Sequence, residues 1–306
     1  MDKTHQLIIV GGGPAGLSAG LYASRSKLDT LLIEKAVLGG QILNAEMVEN
    51  YPGFPQGISG SELGALIAQQ ATKYGLQTAF AEVQGIEIRG GEKIVSTSEG
   101  QFKAKAVIIA GGSGYSKLGV PGEEEFTGKG VSYCAMCDGA FFREQVVAVV
   151  GGGNVALNDA LFLTGFASKV IVIHRRDQLR AIKILHDRAF ANPKIKFLWD
   201  TVVESITGDK LVKEIRLRNV KTGKGSSLEV SGVFVAVGLR PNTGYLKKLL
   251  TLDAGGFISV NAQMETGVPG VFAAGDIRAG SIRQVVSAAG DGATAAIAAE
   301  RFLSLV

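Results

Sequence analysis

The 306 residues are 46% apolar and 20% charged, enough to bury full cores and unlike the composition of a disordered chain. A formal charge of +4, from 32 basic and 28 acidic residues with no basic block, gives no reason to expect nucleic acid, and no run approaches the ~18 apolar residues of a membrane span. Two cysteines and three histidines exclude a disulfide scaffold and leave no ligand set for a metal, while the length predicts two domains of about 150 residues.

The opening MDKTHQLIIV has no apolar leader with a cleavage site, which predicts a cytoplasmic chain. Val- and Ile-rich runs at Gln6–Val10, Thr30–Glu34, Ala106–Ala110, Val146–Val150, Lys169–His174, Gly232–Gly238 and Gly270–Asp276 predict buried parallel strands. Helical spacing fills Pro14–Lys27, Asn154–Ala167 and Asp177–Ala191, and a further helix is expected over Glu62–Tyr74, where Ser59 and Glu62 have capping-box spacing. The alternation is that of a doubly wound α/β sheet.

One arrangement occurs twice. Gln6–Val10 leads into Gly11-Gly12-Gly13-Pro14-Ala15-Gly16, a helix and Thr30–Glu34; Val146–Val150 leads into Gly151-Gly152-Gly153-Asn154-Val155-Ala156, a helix and Lys169–His174. Glu34 lies 23 positions after Gly11, and His174 lies 23 after Gly151, so two superposable units and two dinucleotide sites are expected. Gly114–Pro121 and Leu239–Tyr245 read as crossings between domains, which makes the second domain an insertion in the first.

Gly11, Gly13 and Gly16 have the spacing that permits a tight turn, close approach of a pyrophosphate, and close packing of the following helix, whose N-terminus favours the phosphate charge. Glu34, at the end of the next strand, can hold ribose hydroxyls. In the second unit His174-Arg175-Arg176, with Arg180 beyond, replaces the acid by a cationic cluster, which favours the 2′-phosphate of NADPH; a solvated helix start is the plainer reading of the same charges.

Cys134-Ala135-Met136-Cys137 lets two sulfurs bridge within one helical turn and lowers the pKa of one of them. Asp138 is placed to exchange a proton with an outgoing thiol. Half a metal site would lack partner ligands, and two inert thiols would leave Asp138-Gly139 without a reason. Asp276 ends a strand where ligands of α/β sheets bind, and it also suits a helix N-cap.

The ordered set Gly11–Gly16, Gly39-Gly40-Gln41, Glu49-Asn50-Tyr51-Pro52-Gly53, Pro121-Gly122-Glu123, Cys134–Gly139, Gly151–Ala156, His174–Arg180, Gly275-Asp276 and Arg283-Gln284 resembles the low-molecular-weight thioredoxin reductases, a branch of the flavin-dependent disulfide reductases, over nearly the entire chain. The resemblance implies two Rossmann-like dinucleotide-binding domains, the second inserted in the first. Residues 1–115 and 246–306 would bind FAD, residues 116–245 would carry NADPH and the redox pair, and the protein would be a homodimer.

The FAD set it implies is Gly11, Gly13, Pro14, Ala15, Gly16, Glu34, Lys35, Gly40, Gln41, Asn50, Val83, Ala110, Gly111, Gly275, Asp276, Arg283, Gln284 and Val285. The NADPH set is Gly151, Gly152, Gly153, Asn154, Val155, His174, Arg175, Arg176 and Arg180. By the same resemblance Cys137 is the thiol beside the flavin, Cys134 attacks the substrate disulfide, and Asp138 protonates the departing dithiol. Two departures stand out. Ala110-Gly111-Gly112-Ser113-Gly114 replaces the family's Ala-Thr-Gly-Ala and loses a threonine, and Val155 replaces a common Ser or Thr.

The expected activity is NADPH-dependent reduction of a thioredoxin-like protein disulfide through FAD. A glutaredoxin-like or peroxidase partner fits the same residues. A small-molecule dithiol oxidase would not need Arg175, Arg176 and Arg180, a ferredoxin-dependent reductase would be expected to lose its nucleotide motif, and a nucleotide-binding regulator would leave the cysteine pair unexplained. Because the cysteine pair and the NADPH motif share one inserted domain and must serve one flavin, rotation about the two crossings is also expected.

Overall fold

Leu7-Ile8-Ile9-Val10 is apolar on both faces, and in the computed structural model it lies between two parallel neighbours in a mixed sheet covered on both sides, with all four residues buried. The structure describes residues 4–45, 47–246 and 249–305. The chain divides into two units, Met1–Gly114 with Arg240–Val306, and Tyr115–Leu239.

In the first unit the strands run in the order Gln77–Phe80, Thr30–Glu34, Thr4–Val10, Gly100–Ile109, Glu92–Thr97, Val83–Arg89, with Val271–Ala273 also paired to Gly100–Ile109. The long strand Gly100–Ile109 has Thr4–Val10 on one edge and two partners on the other. Its first half pairs antiparallel with Glu92–Thr97 and its second half parallel with Val271–Ala273. One face of the sheet, with Leu7, Ile9, Ile108 and Phe272, packs on helices Pro14–Arg25 and Val285–Leu303; Ile8, Val10, Val107 and Ile109 build the core on the other. The two helices lie so close that a Cβ on Gly292 would collide with the Ala15 carbonyl, and Ser18 Oγ donates to Ala289 O at 2.7 Å.

The second unit has a parallel sheet in the order Ile195–Leu198, Lys169–Ile173, Val146–Val150, Gly232–Val235, Val131–Ser132. Helices Asn154–Leu163 and Lys183–Ala191 cover one face, and an antiparallel sheet of Thr201–Gly208, Val212–Asn219 and Gly225–Glu229 covers the other. Both units therefore carry the strand, glycine loop, helix, strand arrangement that the sequence repeat predicts.

Element ends shift in several places, as where the strand expected over Gly232–Gly238 is Gly232–Val235 and the helix over Asn154–Ala167 is Asn154–Leu163, and three differences have a reason in the structure. The helix expected from Asp177 starts at Lys183, because Arg180 N donates to Gly152 O at 2.7 Å and Ile182 N to Asn154 Oδ1 at 2.8 Å, which lays this stretch along the second glycine loop. The strand expected over Gly270–Asp276 is only Val271–Ala273, since the chain turns at Gly275 with φ +77°. The return to the first unit comes at Leu239–Arg240 and not after Tyr245: Asn242 N and Nδ2 bond Gly112 O and Gly111 O at 3.0 and 2.8 Å, and Leu246 is fully buried in that unit's core.

Candidate functional site

The first glycine loop is built by close approach. Gly11 has φ +108°, and a Cβ there would collide with the Ala110 carbonyl, while one on Gly16 would collide with the Gly11 carbonyl. Pro14 opens the helix, Gly13 caps it without a side-chain hydrogen bond, and the first amides are left for an anion. Gly39, with φ +120°, donates its amide to Gly12 O at 2.8 Å, and this brings Gly40 within reach of Gly13: a Cβ on Gly13 would meet only the Gly40 Cα, at 3.9 Å, among the described residues. Glu34 accepts Gly12 N at 2.6 Å and Ala36 N at 3.0 Å, so its carboxylate braces the loop from below as well as standing at the strand end.

The remaining expected FAD residues come from loops and from the start of the last helix. Gln41 Nε2 donates to Ser113 O, and Asn50 Nδ2 donates to Gln284 Oε1 at 3.0 Å. Gln284 caps the helix Val285–Leu303 through a capping box with Ser287, and Val285 packs against Ile42, Val48, Ile58 and Leu63. Asp276 does not cap that helix. It lies in a short turn, Gly275–Ile277, where Ser281 Oγ donates to its Oδ1 at 2.9 Å; burial pushes its carboxyl pKa up, and the Ser281 bond and the Arg283 charge oppose that. Arg283 has φ +59°, and its Nε is buried with no hydrogen-bond partner among the described residues. An orphaned buried donor, a glycine cradle and an uncapped helix start fit a dinucleotide such as FAD. Lys35 is exposed and paired with Glu82 at 2.6 Å, and Val83 packs into the core of the sheet's second face.

The lost threonine has an occupant in its place. A Cβ on Gly111 would lie 3.3 Å from the Tyr245 hydroxyl and 3.4 Å from Ile277 Cδ1, so the tyrosine fills the space. Its hydroxyl is buried without a partner among the described residues, and burial raises its pKa.

The second loop repeats the first. Gly151 has φ +155°, and a Cβ there would collide with the Ala236 carbonyl as one on Gly11 would with Ala110. Gly152 lies against His174, as Gly12 lies against Glu34. Gly153 caps the helix Asn154–Leu163 without a side-chain hydrogen bond, and Val155 is exposed on its first turn. His174 leaves the cationic cluster: it is buried, its Nε2 is 3.0 Å from Gln178 O, and burial lowers its pKa, opposed by the Gln178 bond and aided by the three arginines, so a neutral ring floors the loop. Arg175, Arg176 and Arg180 are exposed and, among the described residues, none is ion-paired with a carboxylate. The Arg180 and Ile182 amides hold their segment to the loop, which suits a phosphate near both.

Cys134 and Cys137 are joined in a disulfide with Cα atoms 5.3 Å apart. Cys134 is the N-cap of Ala135–Asp138, and the Cys137 amide donates to Cys134 Sγ at 3.2 Å, a bond that favours a thiolate there after reduction. Cys137 is the more exposed of the two. Asp138 is largely buried, which raises its pKa, and a hydrogen bond from Ser132 at 2.5 Å draws it back down.

Sequence reasoning missed several supporting residues. Arg278 and Asp291 form a bidentate pair at 2.6 and 2.9 Å, and Asp291 Oδ2 also accepts Gly275 N at 3.1 Å, which ties the last helix to the Asp276 turn. The signal was there: Asp291 is the sole charge in residues 285–299.

The pyridine nucleotide-disulphide oxidoreductase family matches residues 5–292. The thioredoxin reductase of Bacillus subtilis (strain 168) is 46% identical over 304 residues, covering 99% of this chain and 96% of that one, and the thioredoxin reductase of Streptomyces coelicolor is 45% identical over 307 residues, covering 99% and 95%. Among solved structures, the thioredoxin reductase of Streptococcus pyogenes MGAS5005 is 47% identical, with a TM-score of 0.95 over the whole of both chains. With two glycine loops, a disulfide in the second unit and matches along its full length, the chain belongs to the pyridine nucleotide-disulphide oxidoreductases, within the branch of the low-molecular-weight thioredoxin reductases.

Proposed function

We propose that the protein reduces the disulfide of a thioredoxin with electrons from NADPH, the activity that the names of its relatives carry. The observation that supports it most is the Cys134–Cys137 disulfide with a largely buried acid, Asp138, beside it, in the same unit as an arginine-flanked glycine loop. FAD, held by the first unit, would supply the redox chemistry the side chains cannot, linking hydride from NADPH to two-electron reduction of this disulfide.

The chain's own residues do the rest. Arg175, Arg176 and Arg180 hold the 2′-phosphate, and the start of helix Asn154–Leu163 faces the pyrophosphate. The first glycine loop, Glu34, Asn50, Asp276, Arg283 and Gln284 hold the FAD. Once the pair is reduced, Cys134 Sγ attacks one thioredoxin sulfur, and the thioredoxin S–S bond breaks as the mixed disulfide forms. Asp138 gives the departing sulfur a proton and regains one from the Cys137 thiol. Cys137 Sγ then attacks Cys134 Sγ, which restores the original disulfide; the second thioredoxin sulfur leaves and takes up from solvent a proton equivalent to the one Cys134 gave up on ionising, which completes the thioredoxin dithiol. Family membership is the support for a homodimer and for a cytoplasmic site; among the described residues no helix is long and apolar enough to cross a membrane.

Anaerobic titration tests this. One equivalent of NADPH should bleach the yellow protein, and oxidised thioredoxin should restore the colour. A protein that recovers only with oxygen or a small dithiol's disulfide would have a different acceptor.

A further inference from the structure

We propose that Ser132 is a positioning residue for the thiol exchange, holding Asp138 by one carboxyl oxygen so that the other carries the proton given to the departing sulfur. The inference rests on Asp138 being the acid. Ser132 ends the strand Val131–Ser132, pairs in register with the fully buried Phe234, and is itself 5% exposed, so its hydroxyl is held by the sheet. Three polar atoms surround that hydroxyl: Asp138 Oδ2 at 2.5 Å, Cys134 N at 3.0 Å and Cys134 O at 3.3 Å.

A hydroxyl has one proton and two lone pairs. The Cys134 amide donates to one lone pair, and the proton has its shortest path to Asp138 Oδ2, at a distance typical of a hydroxyl bonded to a carboxylate. With Oδ2 engaged in this way, the acidic proton sits on Oδ1, which has no bonded partner among the described residues and is free to meet a sulfur. No proton is made or lost: Asp138 Oδ1–H protonates the thiolate, and Ser132 keeps its own hydrogen on Oδ2 throughout. The same serine fixes the backbone of Cys134, so acid and attacking sulfur are registered to one strand end.

Few other groups can imitate this effect. Helix Asn154–Leu163, packed against Ala135–Asp138, carries one acid, Asp159; the following turn Gly139–Phe142 carries none; the Tyr133 hydroxyl is committed to Glu123 at 2.9 Å; and the remaining neighbours are the two cysteines. Of these only Cys134 touches the Ser132 hydroxyl, through its amide at 3.0 Å and its carbonyl at 3.3 Å; the others do not change when Ser132 does.

The test compares the holoenzyme with Ser132→Ala and Ser132→Thr, using Asp138→Asn as the reference. Thioredoxin reduction by the unaltered protein is expected to fall as pH rises through the Asp138 titration. Ser132→Ala removes a bond that stabilises the carboxylate, so the falling limb should move to higher pH by about one unit, with kcat at its plateau down roughly tenfold and KM for thioredoxin little changed. Ser132→Thr should restore the limb. Flavin reduction by NADPH should be equal in all of them. If Ser132→Ala loses its flavin, the isosteric pair Ser132→Thr and Ser132→Val makes the same comparison, with only the hydroxyl differing. A limb that stays in place without the hydroxyl, while Asp138→Asn abolishes it, overturns the proposal and leaves Asp138 as the acid; a limb that survives Asp138→Asn overturns both.

Discussion

Glu34 accepts the Gly12 amide at 2.6 Å, so the residue expected to bind ribose also holds the shape of the phosphate loop. Glu34→Ala should therefore weaken FAD through both roles. Losing a hydrogen bond to a charged group costs about 1.5–3 kcal/mol, or roughly one to two decades in affinity. Flavin retained after gel filtration, with Kd read by fluorescence on reconstitution, checks it; an unchanged Kd would show that Glu34 does neither.

Asp276 is a carboxyl whose pKa burial raises, and this gives a sign for its effect on stability. A folded pKa above the unfolded one contributes stability below the unfolded value and loses it as pH rises through the folded value. Asp276→Asn removes the cost of burying the charge, so the FAD-free protein should melt higher at neutral pH than the parent, while FAD binds less well. Melting curves with and without FAD would show the two effects moving in opposite directions.

Arg278 and Asp291 are 17% and 9% exposed and doubly bonded, so removing one partner leaves a charge in a poorly solvated place. Asp291→Asn is expected to cost about 3 kcal/mol, in line with the loss of one member of a buried pair. It also weakens the bond to the Gly275 amide that sets the turn holding Asp276. Urea unfolding should show a lower midpoint at unchanged slope, together with faster flavin loss.

How far the sequence reached depends on which forces act locally. The central strands of both units are legible because parallel strands buried on both faces are continuous apolar runs, as in Val146–Val150. Val83–Arg89 and the three strands from Thr201 to Glu229 expose one face bearing residues such as Glu87 and Lys213, and Glu92–Thr97 buries Lys93 and Thr97 beside its two apolar residues, so no continuous apolar run marks them. Asp177–Ile182 has helical spacing, yet two tertiary hydrogen bonds to the glycine loop hold it out of the helix, which periodicity cannot register. The glycine loops, arginines and cysteines were readable because backbone approach and charge demand those residue types. Ser132 was not, because its role comes from distances to Asp138 and Cys134 that only the fold creates.

The arginine cluster predicts the nucleotide preference. Arg175→Ala with Arg176→Ala should lower kcat/KM for NADPH by roughly one to two decades and leave NADH nearly unaffected, since only NADPH has the 2′-phosphate they would bind. His174 is buried and neutral, so His174→Gln should disturb the loop and weaken both nucleotides alike. Equal losses for NADPH and NADH in the double arginine variant would move the phosphate site elsewhere.

The two sulfurs are not equivalent, and the structure gives opposing hints about which one attacks thioredoxin. Exposure favours Cys137, which is the more open of the pair. Electrostatics favours Cys134, because its sulfur is the N-cap of the short helix Ala135–Asp138 and accepts the Cys137 amide at 3.2 Å. Thiol exchange requires a thiolate, and a sulfur that accepts an amide hydrogen bond is the easier one to ionise near neutral pH. A difference in exposure changes only access, which a mobile partner can overcome. Cys134 is therefore the expected nucleophile. Cys137→Ser should form a stable mixed disulfide between Cys134 and thioredoxin, because the sulfur that would resolve it is gone. Cys134→Ser should form none, although NADPH still bleaches its flavin. Non-reducing gels and intact mass after mixing each reduced variant with oxidised thioredoxin read the result directly, and a mixed disulfide found only in Cys134→Ser would reverse the two roles.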